Sequence, residues 1–212
     1  MASAEGMAAP VYVVMGVCGS GKTTFGKALS AALSLPFHDA DDFHPATNVQ
    51  KMRSGTPLDD DDRRPWLQVL ARSMQTWAGQ GGAVLACSAL KRSYRDLLAE
   101  GVKGGVIVIH LDVPRVELLR RMAAREGHYM PASLLDSQLG TLQLPGPDEL
   151  ALAVMHAQPS AAGRYLWRIL KGDVNVIPTS LRGDVSQMQL SSSSSSCARP
   201  IAFLDGGTKS AL

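Results

Sequence analysis

The chain has 212 residues, enough for one ordinary α/β domain with a buried core and too few for a second full domain. Its 21 basic and 19 acidic side chains leave a formal net charge of +2, which removes any global electrostatic case for a nucleic-acid or acidic-membrane partner. Cys18, Cys87 and Cys197 have neither disulfide-pair nor zinc-ligand spacing, and no apolar run approaches the ~20 residues of a membrane span, so a cytoplasmic location without membrane attachment is expected.

Met1 to Pro10 reads as a flexible N-terminus, and 11–147 as the folded domain. Val11 to Met15 is a short, β-branched apolar run and predicts a buried strand. It feeds Gly16 to Thr23, and from Thr23 to Leu33 the residues Phe25, Ala28, Leu29, Ala32 and Leu33 recur at helical spacing. A short strand follows around Phe37 to Asp39, then a polar loop from Asp41 to Asp62. Trp66, Val69, Leu70, Met74 and Trp77 make one face of a helix from Trp66 to Trp77. Further strands are expected at Ala83 to Cys87 and Val106 to Leu111. The second of these leads into a helix from Pro114 to Glu126, ended by Gly127, and Ala132 to Leu142 reads as another helix. Strands alternating with helices predict an α/β fold with a parallel sheet covered on both faces. Pro145-Gly146-Pro147 signals a break. Beyond it, 148–190 holds a helix around Ala162 to Leu170 and an apolar stretch at Val174 to Ile177, and 191–212, opening with six serines, reads as disordered.

Gly16-Val17-Cys18-Gly19-Ser20-Gly21-Lys22-Thr23 fits the pattern G-x-x-x-x-G-K-[ST] without a mismatch. Glycines are needed where a Cβ would block a tight loop whose N–H groups point at phosphate oxygens. Lys22 is expected on the β- and γ-phosphates and the Thr23 hydroxyl on magnesium, with the phosphates of a nucleoside triphosphate at a helix N-terminus. Asp39 and Asp41 follow the second strand, at the sheet edge where open α/β folds place ligands. There Asp41 suits a base for an acceptor hydroxyl and Asp39 the metal side, unless both only cap a turn. Ser88 closes the third strand. Lys91 and Arg95, four apart on the next helix, put two cations on one face, either gripping an anionic group or facing solvent. Arg121 and Arg125 repeat that spacing before Gly127-His128-Tyr129-Met130-Pro131, as in a lid that neutralises charge in the transition state. Asp59 to Asp62 reads as a solvated cap for the Trp66 helix rather than a metal cluster.

Four stretches together resemble the gluconokinase family of small phosphate-loop kinases: MGVCGSGKTT (15–24), FHDADDFHPATNVQKMRSGTPLDDDDRRPWL (37–67), LACSALKRSYRDLL (85–98) and RMAAREGHYMPASLLDSQLGTLQLP (121–145). The resemblance covers about Val11 to Pro145 and implies a five-stranded parallel sheet with a helical lid, similar to shikimate and adenylate kinases. It implies ATP, magnesium and D-gluconate as ligands, and the family is often homodimeric. It also implies Asp41 on the acceptor side, His44, Ser88, Lys91 and Arg95 in a gluconate pocket, and Arg121 and Arg125 in the lid; His128 is a further substrate-side candidate. Cys18 stands where the family usually has serine. After Pro145 the family's fifth strand and final helix are not recognisable, which leaves a nucleotide-binding module without turnover as an alternative; within the same class the alternative is a kinase for another small acid or a nucleotide.

Overall fold

The computed structural model describes residues 8–124 and 132–155. Val11–Met15 (β1) is buried along its whole length, as a central strand of a parallel sheet must be. The chain then runs through Lys22–Leu33 (α1), Phe37–Asp39 (β2), a 3-10 turn at Ala40–Phe43, Ala46–Arg53 (α2), Asp60–Gly79 (α3) and Ala83–Ala86 (β3). Arg92–Ala99 (α4), Val106–Asp112 (β4), Arg115–Ala123 (α5), Ala132–Thr141 (α6) and Ala151–Met155 (β5) complete it.

The five strands lie in the order β2-β3-β1-β4-β5, and every neighbouring pair is parallel. The register sets Asp39, Ala86, Val14 and Ile109 in one row, so the segments leaving β2, β3 and β1 emerge side by side. Two cores flank the sheet. On one face Trp66, Leu70 and Met74 of α3 meet Tyr94 and Leu98 of α4; on the other Phe25 and Leu29 of α1 meet Leu118 of α5 and Leu135 of α6. Each such large apolar side chain contributes about 1.5–3 kcal/mol by leaving water. Because β1 is followed by a helix on one face and its neighbour β3 by a helix on the other, the two connections diverge and leave a crevice at their carboxyl ends.

Three expectations are corrected. A fifth strand exists: Ala151–Met155 pairs along β4 from Val108↔Ala151 to Asp112↔Met155. Its sequence, ALAVM, has only one β-branched residue and follows a Pro/Gly break, so local propensity hides it; tertiary pairing and ion pairs at its entrance define it. The polar stretch between β2 and α3 is not a loop throughout. It holds the 3-10 turn and α2, whose polar surface gives no apolar stripe and whose only buried residue is Asn48. Asn48 Nδ2 donates to Asp62 O at 2.7 Å and fastens α2 to α3. Finally, α3 starts six residues before Trp66. Asp59 accepts from Asp62 N at 2.8 Å while Asp62 accepts from Asp59 N at 2.9 Å, a capping box that starts the helix despite Pro65. The expected helix at 162–170, the stretch at 174–177, the final helix and the serine run lie outside the described residues.

Candidate active site

The loop between β1 and α1 has the backbone that its glycines predict. Gly21, at φ 95° and ψ 20°, is the left-handed residue that starts α1, a conformation costly for any residue with a Cβ. A Cβ on Gly16 would sit 2.8 Å from Ser20 Oγ and 3.2 Å from Leu111 O, so the loop can fold tightly only around glycine there. Lys22 Nζ donates to Val17 O at 3.0 Å, holding the ammonium across the loop. Desolvation lowers the Lys22 pKa, and the charge of Asp41 is the largest opposing influence. Arg121, reaching over from α5, donates from Nη1 to Ser20 O at 3.2 Å and from Nε to Glu117 at 2.7 Å.

β2 delivers the two carboxylates to the same place. Thr23 Oγ1 donates to Asp39 Oδ2 at 2.8 Å, and Asp39 Oδ1 accepts from Asp41 N at 3.2 Å, so Asp39 caps the 3-10 turn while bonded to the loop's threonine. A hydroxyl and a carboxylate oxygen side by side are hard donors. They fit a magnesium ion, which takes one or two protein ligands and keeps its remaining positions for water and phosphate. Asp41 lies at the open rim. Partial desolvation and then the Asp39 carboxylate raise its pKa, with Lys22 opposing them. Trp66 Nε1 donates to Ala40 O at 2.8 Å, so the buried ring of α3 anchors the turn that carries Asp41.

Beside the loop opens a cleft of about 580 Å³, lined by the starts of α3 and α4 and by α6, including Asp60, Arg63, Lys91, Tyr94 and Gln138. Lys91 Nζ contacts both oxygens of Asp60 at 2.7 and 2.8 Å; Tyr94 Oη donates to the same carboxylate. Arg63 lies over the Tyr94 ring. The ring of His44 stacks on Trp66 at 4.1 Å, and burial followed by the charge of Arg63 holds its pKa down to about 4, so it is neutral at ordinary pH. Ser88 is half-buried just past β3, on the segment whose Ala89 has a φ of 45°.

Lys22, Thr23, Asp39 and Asp41 thus converge at the ends of β1 and β2, with Arg121 on the loop and Lys91 in the neighbouring cleft. Lys91 and Arg95 do not share a face. Lys91 precedes the first turn of α4, whereas Arg95 turns inward with 3% of its side chain exposed. Its guanidinium is held by both oxygens of Glu149, at 2.5 and 2.9 Å, and by the carbonyls of Ala89, Leu90 and Gln143. Helical spacing located both residues but not the acidic strap on the far side of the break that draws Arg95 inward. Arg125 and His128 lie outside the described residues. Sequence reasoning missed Asp60, Arg63, Tyr94 and Gln138. The three-residue interval from Asp60 to Arg63, one helical turn, was the available signal, but the four-aspartate run masks it.

A parallel sheet of this order, with the glycine loop after β1, defines a small phosphate-loop kinase. The family model described as shikimate kinase matches residues 18–143. The chain is 49% identical over 143 residues to a gluconokinase of Gluconobacter oxydans, covering 67% of this chain and 80% of that one. It is 38% identical over 195 residues to a probable gluconokinase of Xenopus tropicalis, covering 85% and 95%. A crystal structure of a gluconokinase from Sinorhizobium meliloti superposes with a TM-score of 0.68 at 41% identity, covering 77% of this chain and 94% of that one. The chain belongs to the gluconokinase family, within the small kinases similar to shikimate kinase. Among the described residues no helix is long and apolar enough to cross a membrane.

Proposed function

We propose that this kinase transfers the γ-phosphoryl group of ATP to the terminal hydroxyl of D-gluconate. The observation that carries the reading is the convergence of loop and carboxylates: Thr23 bonded to Asp39, with Asp41 two residues on and electrostatically coupled to Lys22. Phosphoryl transfer asks mainly for positioning and charge neutralisation, and these residues supply both. Backbone N–H groups of the 16–23 loop, other than that of Cys18, which Gln138 takes, hold the phosphates, and Lys22 places a charge on them. Thr23 and Asp39 hold magnesium, which when bound draws charge from the phosphate oxygens. Asp41 takes the proton of the attacking hydroxyl as its oxygen bonds to phosphorus and the bond to the ADP oxygen breaks. Arg121, together with Arg125, neutralises charge on the transferring group.

Gluconate carries a carboxylate at the end opposite its reacting hydroxyl, so an acceptor site needs a base at one end and cations at the other. Lys91 and Arg63 in the cleft suit the carboxylate, with Ser88 and His44 flanking the polyol. β5 supplies the fifth strand whose apparent loss was part of the reason for expecting a module without turnover. The test is ADP release by the full chain with ATP and magnesium in the presence of gluconate, shikimate or nucleoside monophosphates, beside a Lys22→Ala control. Gluconate alone is expected to stimulate release; equal rates with and without it would defeat the reading.

A further inference from the structure

Gln138 belongs to both halves of the site. Its Oε1 accepts from Cys18 N, in the glycine loop, at 2.7 Å, and the same side chain lines the cleft. It comes from α6, a helix that packs on the sheet through Leu135 and places Ser137, Gln138 and Thr141 along the cleft wall. A backbone N–H can only donate, so this bond fixes which end of the amide faces the loop: oxygen toward Cys18, Nε2 away from it. The other end is therefore a pair of N–H donors on a side chain bordering the cleft, held there by the phosphate loop itself. Cys18 is also near Met122 of α5, whose Sδ lies 3.8 Å from the Cys18 Sγ, so the loop segment that orients Gln138 is held from two sides.

We propose that Gln138 is a positioning residue that couples acceptor binding to nucleotide binding. With Oε1 on the loop, Nε2 donates to an oxygen of the acceptor. When phosphates draw the loop N–H groups around themselves, they fix the Cys18 backbone and with it the amide that orients the acceptor hydroxyl. Lys91, Asp60, Arg63 and Tyr94 bind the acceptor independently of the loop, whereas Gln138 responds to what the loop holds. The proposal rests on the gluconokinase reading.

The test is titration of the full chain with D-gluconate, with and without a non-hydrolysable ATP analogue and magnesium, for the wild type, Gln138→Met and Gln138→Glu. Thermal melts with the analogue check the fold. In the wild type, bound nucleotide is expected to tighten gluconate binding by about tenfold, within the usual range of coupling between sites. Gln138→Met keeps the length of the side chain but neither accepts from Cys18 nor donates to the acceptor. It should bring that ratio within about twofold of unity and lower kcat by about tenfold or more, with the affinity for the analogue alone within about threefold of wild type. Gln138→Glu keeps the acceptor toward Cys18 and replaces the donor with a negative oxygen, so its ratio should fall below that of Gln138→Met. A wild-type ratio of one, or a Gln138→Met variant that keeps the wild-type ratio and kcat, overturns the proposal. A wild type that neither binds nor phosphorylates gluconate overturns the gluconokinase reading first, and that outcome is read without any variant.

Discussion

Replacing Glu149 by alanine separates the two roles that Arg95 can have. Glu149 takes two bonds from Arg95, at 2.5 and 2.9 Å, and one from Gly146 N at 2.8 Å, with Arg92 Nη1 3.5 Å away. Its side chain is 10% exposed and that of Arg95 3%. Removing the carboxylate strands a guanidinium almost without water, a change that costs about 3–5 kcal/mol for a buried pair; the edge of Glu149 that reaches solvent points to the low end, about 3 kcal/mol. For a domain of this size that is a fall in Tm of about 6–12 °C. Urea and thermal unfolding of wild type, Glu149→Ala, Arg95→Met and the double variant measure it. Each single variant should be costly, and the double should cost less than the sum because no buried charge is then left alone. Equal additivity, or a Glu149→Ala loss below about 1 kcal/mol, would refute the strut. A raised gluconate KM in Arg95→Met with unchanged stability would instead place Arg95 on the acceptor. pH gives a second view. Although burial raises the Glu149 pKa, the bonds from Arg95 and Gly146 outweigh it and hold the group below the usual glutamate value. Its stabilisation is therefore full above the unfolded pKa and is lost as pH falls through the lower folded one.

Asp41→Asn should lower kcat by about 10²- to 10⁴-fold, the usual range for a lost general base, with little change in nucleotide affinity. Since the base acts ionised, wild-type kcat/KM should fall on the acid side as Asp41 takes up its proton, and Asp41→Asn should lose that limb. His44 is held neutral with a pKa of about 4, so the unfolded chain binds more protons than the folded one between about pH 6.5 and 4. Stability should therefore drop through that window as pH falls, and a His44→Phe variant should show a flatter unfolding profile there. Cys87 is buried, with its pKa pushed up to about 12, whereas Cys18 is half-exposed in the loop. In a Cys197→Ser background, iodoacetamide should label Cys18 well before Cys87, and ATP with magnesium should slow it; faster labelling of Cys87, read by peptide mass, would contradict the burial.

What the sequence made legible divides along one physical line. β1, β2, β3 and β4 came out within a residue or so because their apolar runs are bounded by the residues that end strands, and the phosphate loop came out whole because each glycine answers a local steric demand. Asp39 and Asp41 could be placed because a strand end fixes where its next two residues go. The start of α3 rests on a local capping box, Asp59 with Asp62, that the four-aspartate run and Pro65 obscure, whereas α2 and β5 were hidden because they are held by pairings between residues far apart in sequence: Asn48 with Asp62 and Arg95 with Glu149. Gln138 was hidden for the same reason, since its partner is a backbone N–H 120 residues away. The ion pairs at the entrance of β5 also explain why that strand matters to the site. Arg95 bonds the carbonyls of Ala89 and Leu90 on one side and Glu149 on the other, so the segment carrying Ser88 and Lys91 is braced against the chain entering β5. Gln143 N adds a bond to Leu90 O at 2.8 Å, and Gln143 Oε1 accepts from Arg92 N at 2.7 Å, closing the brace from the end of α6. A cation that helical spacing assigns to the acceptor thereby braces the segment that carries Lys91 into the cleft.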